Sequence, residues 1–428
     1  MTEDPFGRTL SAWLHEEAGH RVSDHLAEAL VQTAATRQRP WWSSLERLLP
    51  MTTTTMTGRV AAGRPGVMLA LVALLLLGIA GVALLAGAQR SDPSPFGLAD
   101  NGRIYVADGS TIRSFAADGS DPQALDVETG VAVSGLSVSP DGERLAFISG
   151  REGAMQIRVV NLADGTTVEV PTPFAAAAEG VAWSPDGSHL TYAGLEGGLG
   201  GPERVYVTSA DGTGELTTPG ADSLAANDSV WLPTYSPDGE WIAFLTKDRN
   251  TPDDLQNGRV LVMHPDGSDI HEVAANVATP GATWAPDPSV QRLLYTSTAG
   301  PTILDLGDGA PVRLGPGFWP SWSPDGSRVA YWADGSLVVS TEDALRGSPV
   351  LQRAFEGFTG ACEDHPELAG RTVCSPVSWS PDGTQLIGTD IAGGALLVAP
   401  LDGSGEPVRI PLQFTSGLEI FPEWQPIH

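Results

Sequence analysis

A tetrapeptide that returns along the chain is the strongest constraint on its fold. Ser-Pro-Asp-Gly begins at five serines: Ser139, Ser184, Ser236, Ser323 and Ser380. A degraded copy, Ala285-Pro286-Asp287-Pro288, lies between the third and fourth, and Trp424-Gln425-Pro426 is a last trace. Successive copies are 38 to 57 residues apart. Self-similarity at this period, which accommodates four short strands, predicts the blades of a β-propeller.

The second repeat shows how one blade is built. Residues 181–183 form an apolar strand, Ser-Pro-Asp-Gly makes a tight turn, and residues 190–193, 205–207 and about 215–218 supply three more strands. The residue before each turn is large and usually aromatic: Val138, Trp183, Tyr235, Trp284, Trp322, Trp379 and Trp424. These rings could form a ligand box, but filling the wedge between neighbouring blades is the better interpretation. The turn aspartates need no role beyond the turn itself.

These residues resemble the WD40-like PD40 repeats of the TolB family. The shared features are the aromatic-Ser-Pro-Asp-Gly turn, an apolar second strand, a Val-Tyr-Val third strand and an Asp-Gly turn, and they cover about residues 101–428. The resemblance implies an all-β propeller and says little about function, because propellers carry many unrelated activities.

The blade count follows from the two ends of the outer part. Six Pro-Asp turns begin six blades. The last residues, 418–425, are typical of an inner strand with nothing after it. Residues 103–107 and 111–115 are typical of outer strands with no inner strand before them. Pairing the two ends in a composite blade closes the ring and removes exposed strand edges. We therefore expect seven blades, with six, the number that the TolB resemblance implies, as the alternative.

A long apolar stretch predicts that the chain is anchored in a membrane. Residues 65–89 contain no charged side chain, which is long enough for one transmembrane helix. A cleaved signal peptide is the alternative, because Ala86-Gly87-Ala88 is typical of a cleavage site. Arginines cluster before the stretch, which predicts a cytoplasmic N-terminus. The predicted organisation is a small helical cytoplasmic segment (1–64), a transmembrane helix (65–89), a linker (90–100) and an extracytoplasmic propeller (101–428).

The charge is distributed unevenly between these parts. Residues 1–64 carry seven acidic and seven basic side chains, so the net charge of −28 belongs to the rest of the chain. An acidic propeller repels phosphate, and we therefore expect no nucleic-acid partner.

The two cysteines, Cys362 and Cys374, both lie in the predicted outer domain. An even number of cysteines in an oxidising compartment predicts a disulfide between them, with free thiols as the alternative. A zinc site is a poor interpretation, because no paired Cys-x₂₋₄-Cys knuckle is present.

The sequence favours a binding function over catalysis. It contains no Gly-x-Ser-x-Gly elbow, phosphate-binding loop or dinucleotide fingerprint, so no cofactor, metal or catalytic residue is assigned. Four long insertions, 194–204, 220–231, 246–259 and 344–375, fall in the two loop types that open on one face of a propeller. Because recognition is usually carried by loops on a rigid scaffold, this insertion face is predicted to bind a protein, peptide or glycan. The alternative is an extracytoplasmic hydrolase or lyase with its site in the propeller funnel. The oligomeric state is left open.

Overall fold

A computed structural model describes residues 97–428, with gaps at 128, 130–131, 152–153, 173–174, 198–199, 251–256, 308, 334–335, 341–352, 356–361, 366–370, 375–376, 391–393, 403–406 and 413–421. The chain divides into two units, Met1–Gly87 and Ala88–His428, and the described residues belong to the second. The predicted cytoplasmic segment and transmembrane helix therefore lie outside the described residues. Within the described ranges, no helix has the length and apolar character needed to cross a bilayer.

The described residues form antiparallel β-strands and one short 3-10 helix, Ala221–Ser223. The first strands are β1 (Asp100–Asp108), β2 (Thr111–Phe115), β3 (Gln123–Ala124), β4 (Ala132–Val138), β5 (Arg144–Arg151), β6 (Ala154–Asn161), β7 (Thr167–Val170), β8 (Ala175–Trp183), β9 (His189–Leu195) and β10 (Glu203–Ser209). The next are β11 (Asp228–Tyr235), β12 (Ile242–Asp248), β13 (Gly258–Met263), β14 (His271–Trp284), β15 (Arg292–Ser297), β16 (Gly300–Asp305), β17 (Val312–Arg313), β18 (Phe318–Trp322), β19 (Val329–Ala333) and β20 (Ser336–Val339). The last are β21 (Arg353–Phe355), β22 (Cys362–His365), β23 (Arg371–Cys374), β24 (Ser378–Trp379), β25 (Gln385–Asp390), β26 (Ala395–Pro400), β27 (Val408–Pro411) and β28 (Glu423–Ile427).

The sheets repeat one antiparallel pattern, which confirms the predicted all-β propeller. Four sheets have four strands each, in the orders β28-β1-β2-β3, β4-β5-β6-β7, β18-β19-β20-β21 and β24-β25-β26-β27. β8–β10 form a three-stranded sheet, to which Thr217 adds a bridge with Val207. β11–β17 form one run in which the long strand β14 pairs with β13 at its beginning and with β15 at its end.

Each Ser-Pro-Asp-Gly turn is fixed by its own polar groups. In the first, the hydroxyl of Ser139 donates to the carboxylate of Asp141 and accepts from the backbone N–H of Arg144. Asp141 also accepts from the N–H of Glu143, and Gly142 has φ 73°, which favours glycine. The same pattern of bonds recurs at Asp186, Asp238, Asp325 and Asp382. The prediction that these aspartates serve the turns is confirmed.

The core lies between neighbouring sheets, where the aromatic residues that precede the turns are buried. Trp183, Trp284 and Trp379 are each 7% exposed. Trp183 and Trp379 pack with side chains of two successive sheets, and Trp284 packs with side chains from both halves of the run β11–β17. Their indole N–H groups donate to backbone carbonyls of the preceding inner strand, those of Ser137, Thr234 and Ser321. The interpretation of these rings as wedges between blades, rather than as a ligand box, is confirmed for these three.

The two ends of the propeller pair in one sheet, as predicted. β28 runs antiparallel to β1, with Trp424 opposite Ile104 and Glu423 opposite Tyr105. Gln425, which replaces the turn serine of other repeats, donates to the carbonyl of Gly142 and accepts from the backbone N–H of Arg103. The closing strand is described for Glu423–Ile427, and residues 418–421 of its predicted span lie outside the described residues.

Candidate functional site

Two surfaces of the propeller are candidates for function: the insertion face and the mouth of the channel formed by the turns. The insertion face is described for most of three of its four segments, 194–204, 220–231 and 246–259. Most of the fourth, 344–375, lies outside the described residues, as do Asp253 and Asp254 of the third.

Arg249 connects the three described insertions of this face. Its guanidinium lies 3.1 Å from the carboxylate of Glu203, and it donates to the hydroxyl of Ser229 at 3.1 Å and to the carbonyl of Gly201 at 3.0 Å. The second carboxylate oxygen of Glu203 accepts from the N–H of Val230. Because one cation holds three separate segments, these loops converge as the sequence predicts and form a fixed rim.

Further ion pairs extend the network around the same rim. Asp228, 6% exposed, pairs with Arg259 at 3.2 Å and accepts from the N–H of Ala225. Arg204, 8% exposed, lies 3.4 Å from Glu196. The carboxylate of Glu196 and the side chain of Asp222 remain exposed to solvent. The rim therefore presents acidic groups on a braced backbone.

The predicted disulfide pair lies in the fourth insertion, where the backbone alone is described. β22 and β23 form a hairpin in which Cys362 is directly opposite Cys374. Opposite residues of an antiparallel pair have Cβ atoms about 4.5–5.5 Å apart. Their side chains lie outside the described part, so the disulfide stays a prediction.

The turns form a continuous rim at the other mouth of the channel. A methyl group built on the turn glycine of one blade would meet the turn proline of the preceding one, as at Gly239 with Pro185 and Gly326 with Pro286, 3.7 and 3.5 Å away. These pairs of successive turns are therefore close neighbours at this end of the sheets.

A cavity of about 230 Å³ opens within this rim. Its wall includes four prolines from successive turns and the inner-strand ends of β24 and β28. The lining residues are Gly97, Pro286, Pro324, Ser378, Trp379, Pro381, Glu423, Trp424, Pro426 and His428. The imidazole of His428 is within hydrogen-bonding distance, 3.1 Å, of the carbonyl of Pro140. The cavity therefore lies where the turns of successive repeats meet the inner-strand ends of β24 and β28.

Glu423 is the distinctive group of this cavity. It is the residue before the aromatic position, where the other six repeats have Ser137, Ala182, Thr234, Thr283, Ser321 and Ser378. Burial raises the pKa of its carboxyl to about 8, although the N–H of Val138 donates to it and opposes the shift. At neutral pH the carboxyl is therefore largely protonated, and it can both donate and accept a hydrogen bond.

The turn aspartates have the opposite electrostatic character. Burial alone would raise the pKa of Asp141, but bonds from Ser139, Glu143 and Arg144 outweigh it and lower that pKa below its ordinary value. Asp186, Asp325 and Asp382 behave in the same way. These carboxylates are ionised and engaged in the turns, so they do not supply free ligands to the cavity.

The inner strands share a backbone irregularity that the sequence did not predict. Three residues before the aromatic position the backbone has a positive φ in five repeats: Gly135, Gly180, Leu232, Gly281 and Trp319. Breaks in the pairing register accompany all five, which identifies them as β-bulges. Leu232 and Trp319, with φ 47° and 55°, are strained in this conformation. In three repeats a glycine at this position indicates the bulge in the sequence. In the other two, Leu232 and Trp319 give no such indication.

Within the described part of the chain, no group of three or more histidine, cysteine, aspartate or glutamate side chains is arranged to hold a metal ion.

Comparison with known proteins supports the fold. No family model matches the chain. An uncharacterised protein of Agrobacterium fabrum is 29% identical over 241 residues, which are 49% of this chain and 74% of that protein. The oligogalacturonate lyase of Vibrio parahaemolyticus superposes with a TM-score of 0.52 and 15% identity over 72% of this chain and 92% of its own.

TolB is also among the similar solved structures. TolB of Acinetobacter baumannii has a TM-score of 0.42 and 17% identity, over 60% of this chain and 64% of its own, which is less than two thirds of its length. The repeated antiparallel sheets and the superposition with a TM-score of 0.52 confirm the predicted propeller as a resemblance of fold. At such identities the comparison concerns the fold alone.

Proposed function

We propose that this chain is a single-pass membrane protein whose extracytoplasmic, seven-bladed propeller binds a protein, peptide or glycan at its insertion face. The observation that carries the binding role is the bracing of three inserted loops by Arg249 and its partners. Loops fixed on a rigid scaffold suit recognition, because little conformational entropy is lost when they bind.

Seven blades are supported by the repeated inner-strand position. Seven described strands each carry one residue of the position that precedes the turn. The strands are β4, β8, β11, β14, β18, β24 and β28, and the residues are Val138, Trp183, Tyr235, Trp284, Trp322, Trp379 and Trp424. Because β14 continues from one four-stranded group into the next, the run β11–β17 accommodates two blades. Electron cryomicroscopy of the protein along the channel axis should show seven lobes of density, and six lobes would contradict the count.

The membrane anchor is supported by the uncharged sequence of residues 65–89. Alkaline carbonate extraction of membranes from expressing cells should leave the chain in the pellet. Release into the soluble fraction with a new N-terminus near Gln89 would instead support the signal-peptide alternative and refute the anchor.

The binding face can be tested by crosslinking inside the native cell. A photo-reactive amino acid at Ala226, which is exposed on the insertion rim, should give a discrete crosslinked partner. The same amino acid at Glu143, exposed beside a Pro-Asp turn, should not. Both positions are exposed to solvent, so a difference reflects the face and not accessibility.

Charge variants give an independent measurement. Arginine at both Asp222 and Ala226 should abolish the crosslink or capture of that partner, because these exposed side chains lie on the rim outside the Arg249 network. The matched control carries arginine at Glu143 and Glu240, both exposed beside turns. Loss of capture in the control with retention in the rim variant would move the site to the turn mouth and refute this assignment.

A further inference from the structure

The described chain enters the propeller at the turn mouth, the end of the sheets where the Pro-Asp turns lie. Gly97, the first described residue, is part of the cavity wall there together with Pro381. The N–H of Ala99 donates to the carbonyl of Pro381 at 3.0 Å. A methyl group built on Gly383 of the same turn would lie 3.1 Å from the side chain of Leu98. Contacts with this turn therefore fix the entry point on the turn face.

The distance that the preceding chain can cover is short. Seven residues, 90–96, separate the entry point from the uncharged stretch 65–89. Fully extended, they reach about 25 Å, and the two prolines among them, Pro93 and Pro95, favour an extended connection of about 3.1 Å per residue.

The insertion face is beyond this reach. It lies one strand length from the turns, about 23 Å for the seven residues of β12. A chain running from the entry point around the outer strands of a four-stranded sheet would also cross three strand spacings, about 14 Å. Both distances together exceed the reach of the seven residues. If residues 65–89 cross a bilayer, the insertion face therefore cannot lie against it.

Two exposed aliphatic side chains lie on the turn face. Leu98 is 59% exposed and Ile427 is 50% exposed, and they are the two most exposed large hydrophobic residues in the described part of the chain. Ile427 is opposite Asp100 in the pairing of β28 with β1, so Leu98 and Ile427 belong to the same end of this sheet. Val168 and Val408, the next most exposed, are on outer strands and lie close to hairpin glycines of a neighbouring blade. Uncovered apolar surface is thus concentrated where the chain enters.

The charge on this face favours one kind of lipid surface. Asp141, Asp186, Asp287 and Asp325 are exposed, and their pKa values lie below the ordinary range, so these carboxylates are ionised at neutral pH. Anionic headgroups repel such a face. The outermost group of a zwitterionic headgroup is an ammonium, which attracts it.

We propose that the turn mouth of the propeller contacts the surface of the lipid bilayer, with Leu98 and Ile427 in the headgroup layer and the turn carboxylates against the ammonium groups of zwitterionic lipids. This inference rests on the single-pass anchor proposed above, because the anchor supplies the tether. The insertion face is then directed away from the membrane, where its loops are open to a partner.

The test uses the full chain reconstituted in phosphatidylcholine vesicles. A photo-reactive diazirine amino acid replaces Leu98, Ile427 or Ala226, one at a time, and lipid adducts are measured by mass spectrometry after irradiation. Ala226 is exposed on the insertion rim. Adduct yields at Leu98 and Ile427 should exceed the yield at Ala226 roughly fivefold or more, because the rim lies about 23 Å further from the bilayer. Equal yields at the three positions, or the highest yield at Ala226, overturn the proposal.

A second set of measurements, with the probe at Ile427, separates apolar contact from proximity alone. Leu98→Ser should lower the adduct yield roughly threefold, because half of the apolar pair is lost, whereas Val408→Ser, at an exposed aliphatic residue on an outer strand, should not change it. Equal loss in the two serine variants overturns the proposal. If Leu98→Ser fails to fold, the yields at the three probe positions decide.

Lipid charge tests the electrostatic part of the contact. Replacing about 30% of the lipid by phosphatidylglycerol should lower the yield at Ile427, and about 0.5 M NaCl should restore it, because salt screens the repulsion. A yield that rises with the anionic lipid overturns the proposal.

Alkaline carbonate extraction of the same vesicles distinguishes failure of this contact from failure of the anchor. Release of the chain overturns both, because the tether is then lost. Retention of the chain without an excess of adducts at Leu98 and Ile427 overturns the bilayer contact alone and leaves the anchor in place.

Discussion

Replacing Glu423 by glutamine should stabilise the propeller at neutral and alkaline pH and have little effect in acid. The carboxyl has a pKa of about 8 in the folded chain, because burial disfavours its charged form, and an ordinary value of 4.5. Between these values the folded state binds more protons than the unfolded state. The free energy of unfolding therefore falls as pH rises from 4.5 to 8 and is constant beyond. Glutamine removes this dependence and keeps an oxygen that can accept from the N–H of Val138.

The magnitude follows from the distance between the two pKa values. One pKa unit corresponds to about 1.4 kcal/mol, so a fully buried carboxyl with this shift would cost the folded state about 4 to 5 kcal/mol above pH 8. Glu423 lines an open cavity and is partly exposed, so water reduces this cost. We expect a stabilisation by Glu423→Gln of about 2 kcal/mol at pH 8 and close to zero at pH 4.5.

The assay compares the natural chain, Glu423→Gln and Glu143→Gln by thermal denaturation between pH 4.5 and 8.5, monitored by tryptophan fluorescence. The turn aspartates have lowered pKa values, so the stability that they contribute is lost when they are protonated in acid. They are common to all three proteins, and their effect cancels in the differences. The advantage of Glu423→Gln should grow with pH. The control variant should follow the natural chain.

Two results would refute the reasoning about Glu423. A difference between the variant and the natural chain that does not depend on pH would mean that the carboxyl titrates normally. A variant that is less stable at pH 8 would mean that the carboxylate is ionised in the folded state and engaged with a cation.

Three further outcomes follow from the fold and the sequence. Deleting residues 423–428 removes the strand that pairs with β1 and should destabilise the propeller by more than about 4 kcal/mol, measured by denaturant unfolding; parent-like unfolding would refute closure. Arg328→Met should cost about 2 kcal/mol, because a stacked cation and a bond to a turn carbonyl are lost, whereas Arg313→Met at an exposed arginine should be neutral. Non-reducing peptide mapping should recover Cys362 linked to Cys374, a bridge that contributes about 3 kcal/mol; two labelled thiols in protein from its native compartment would contradict it.

The propeller could be predicted from the sequence because the turn of each repeat is specified by residues close together in the chain. Serine, aspartate and glycine of the turn make bonds within six residues, so their spacing is visible without any tertiary information. The pairing of the last strand with the first was also predictable. The end of the chain has an inner strand with no blade, and the beginning of the propeller has a blade with no inner strand, so the two complete each other. The convergence of three insertions followed from loop topology, but the role of Arg249 depends on contacts across the sequence that no local pattern encodes.

The cavity lined by Glu423 was not predicted, although this residue departs from the other repeats in the sequence. Aligning the repeats on the aromatic position places Glu423 in a column of small neutral residues. The turns by themselves indicate the fold alone, and the departure at Glu423 stands in the column beside them. Which columns matter becomes clear only when the structure shows that one position clamps the next blade and another lines the mouth of the channel.

The pairing of β28 with β1 closes the ring, and a departure from the repeat is least constrained by local folding at this place. Elsewhere a blade is one continuous stretch of chain, and its turn is completed by Ser-Pro-Asp-Gly. At the end of the chain Gln425 replaces that serine, and the turn is completed by groups from the beginning of the domain, including the N–H of Arg103 and the carbonyl of Gly142. A long-range pair of strands holds this blade together, and its inner strand carries the carboxyl of Glu423 at a position where the other repeats have small neutral side chains.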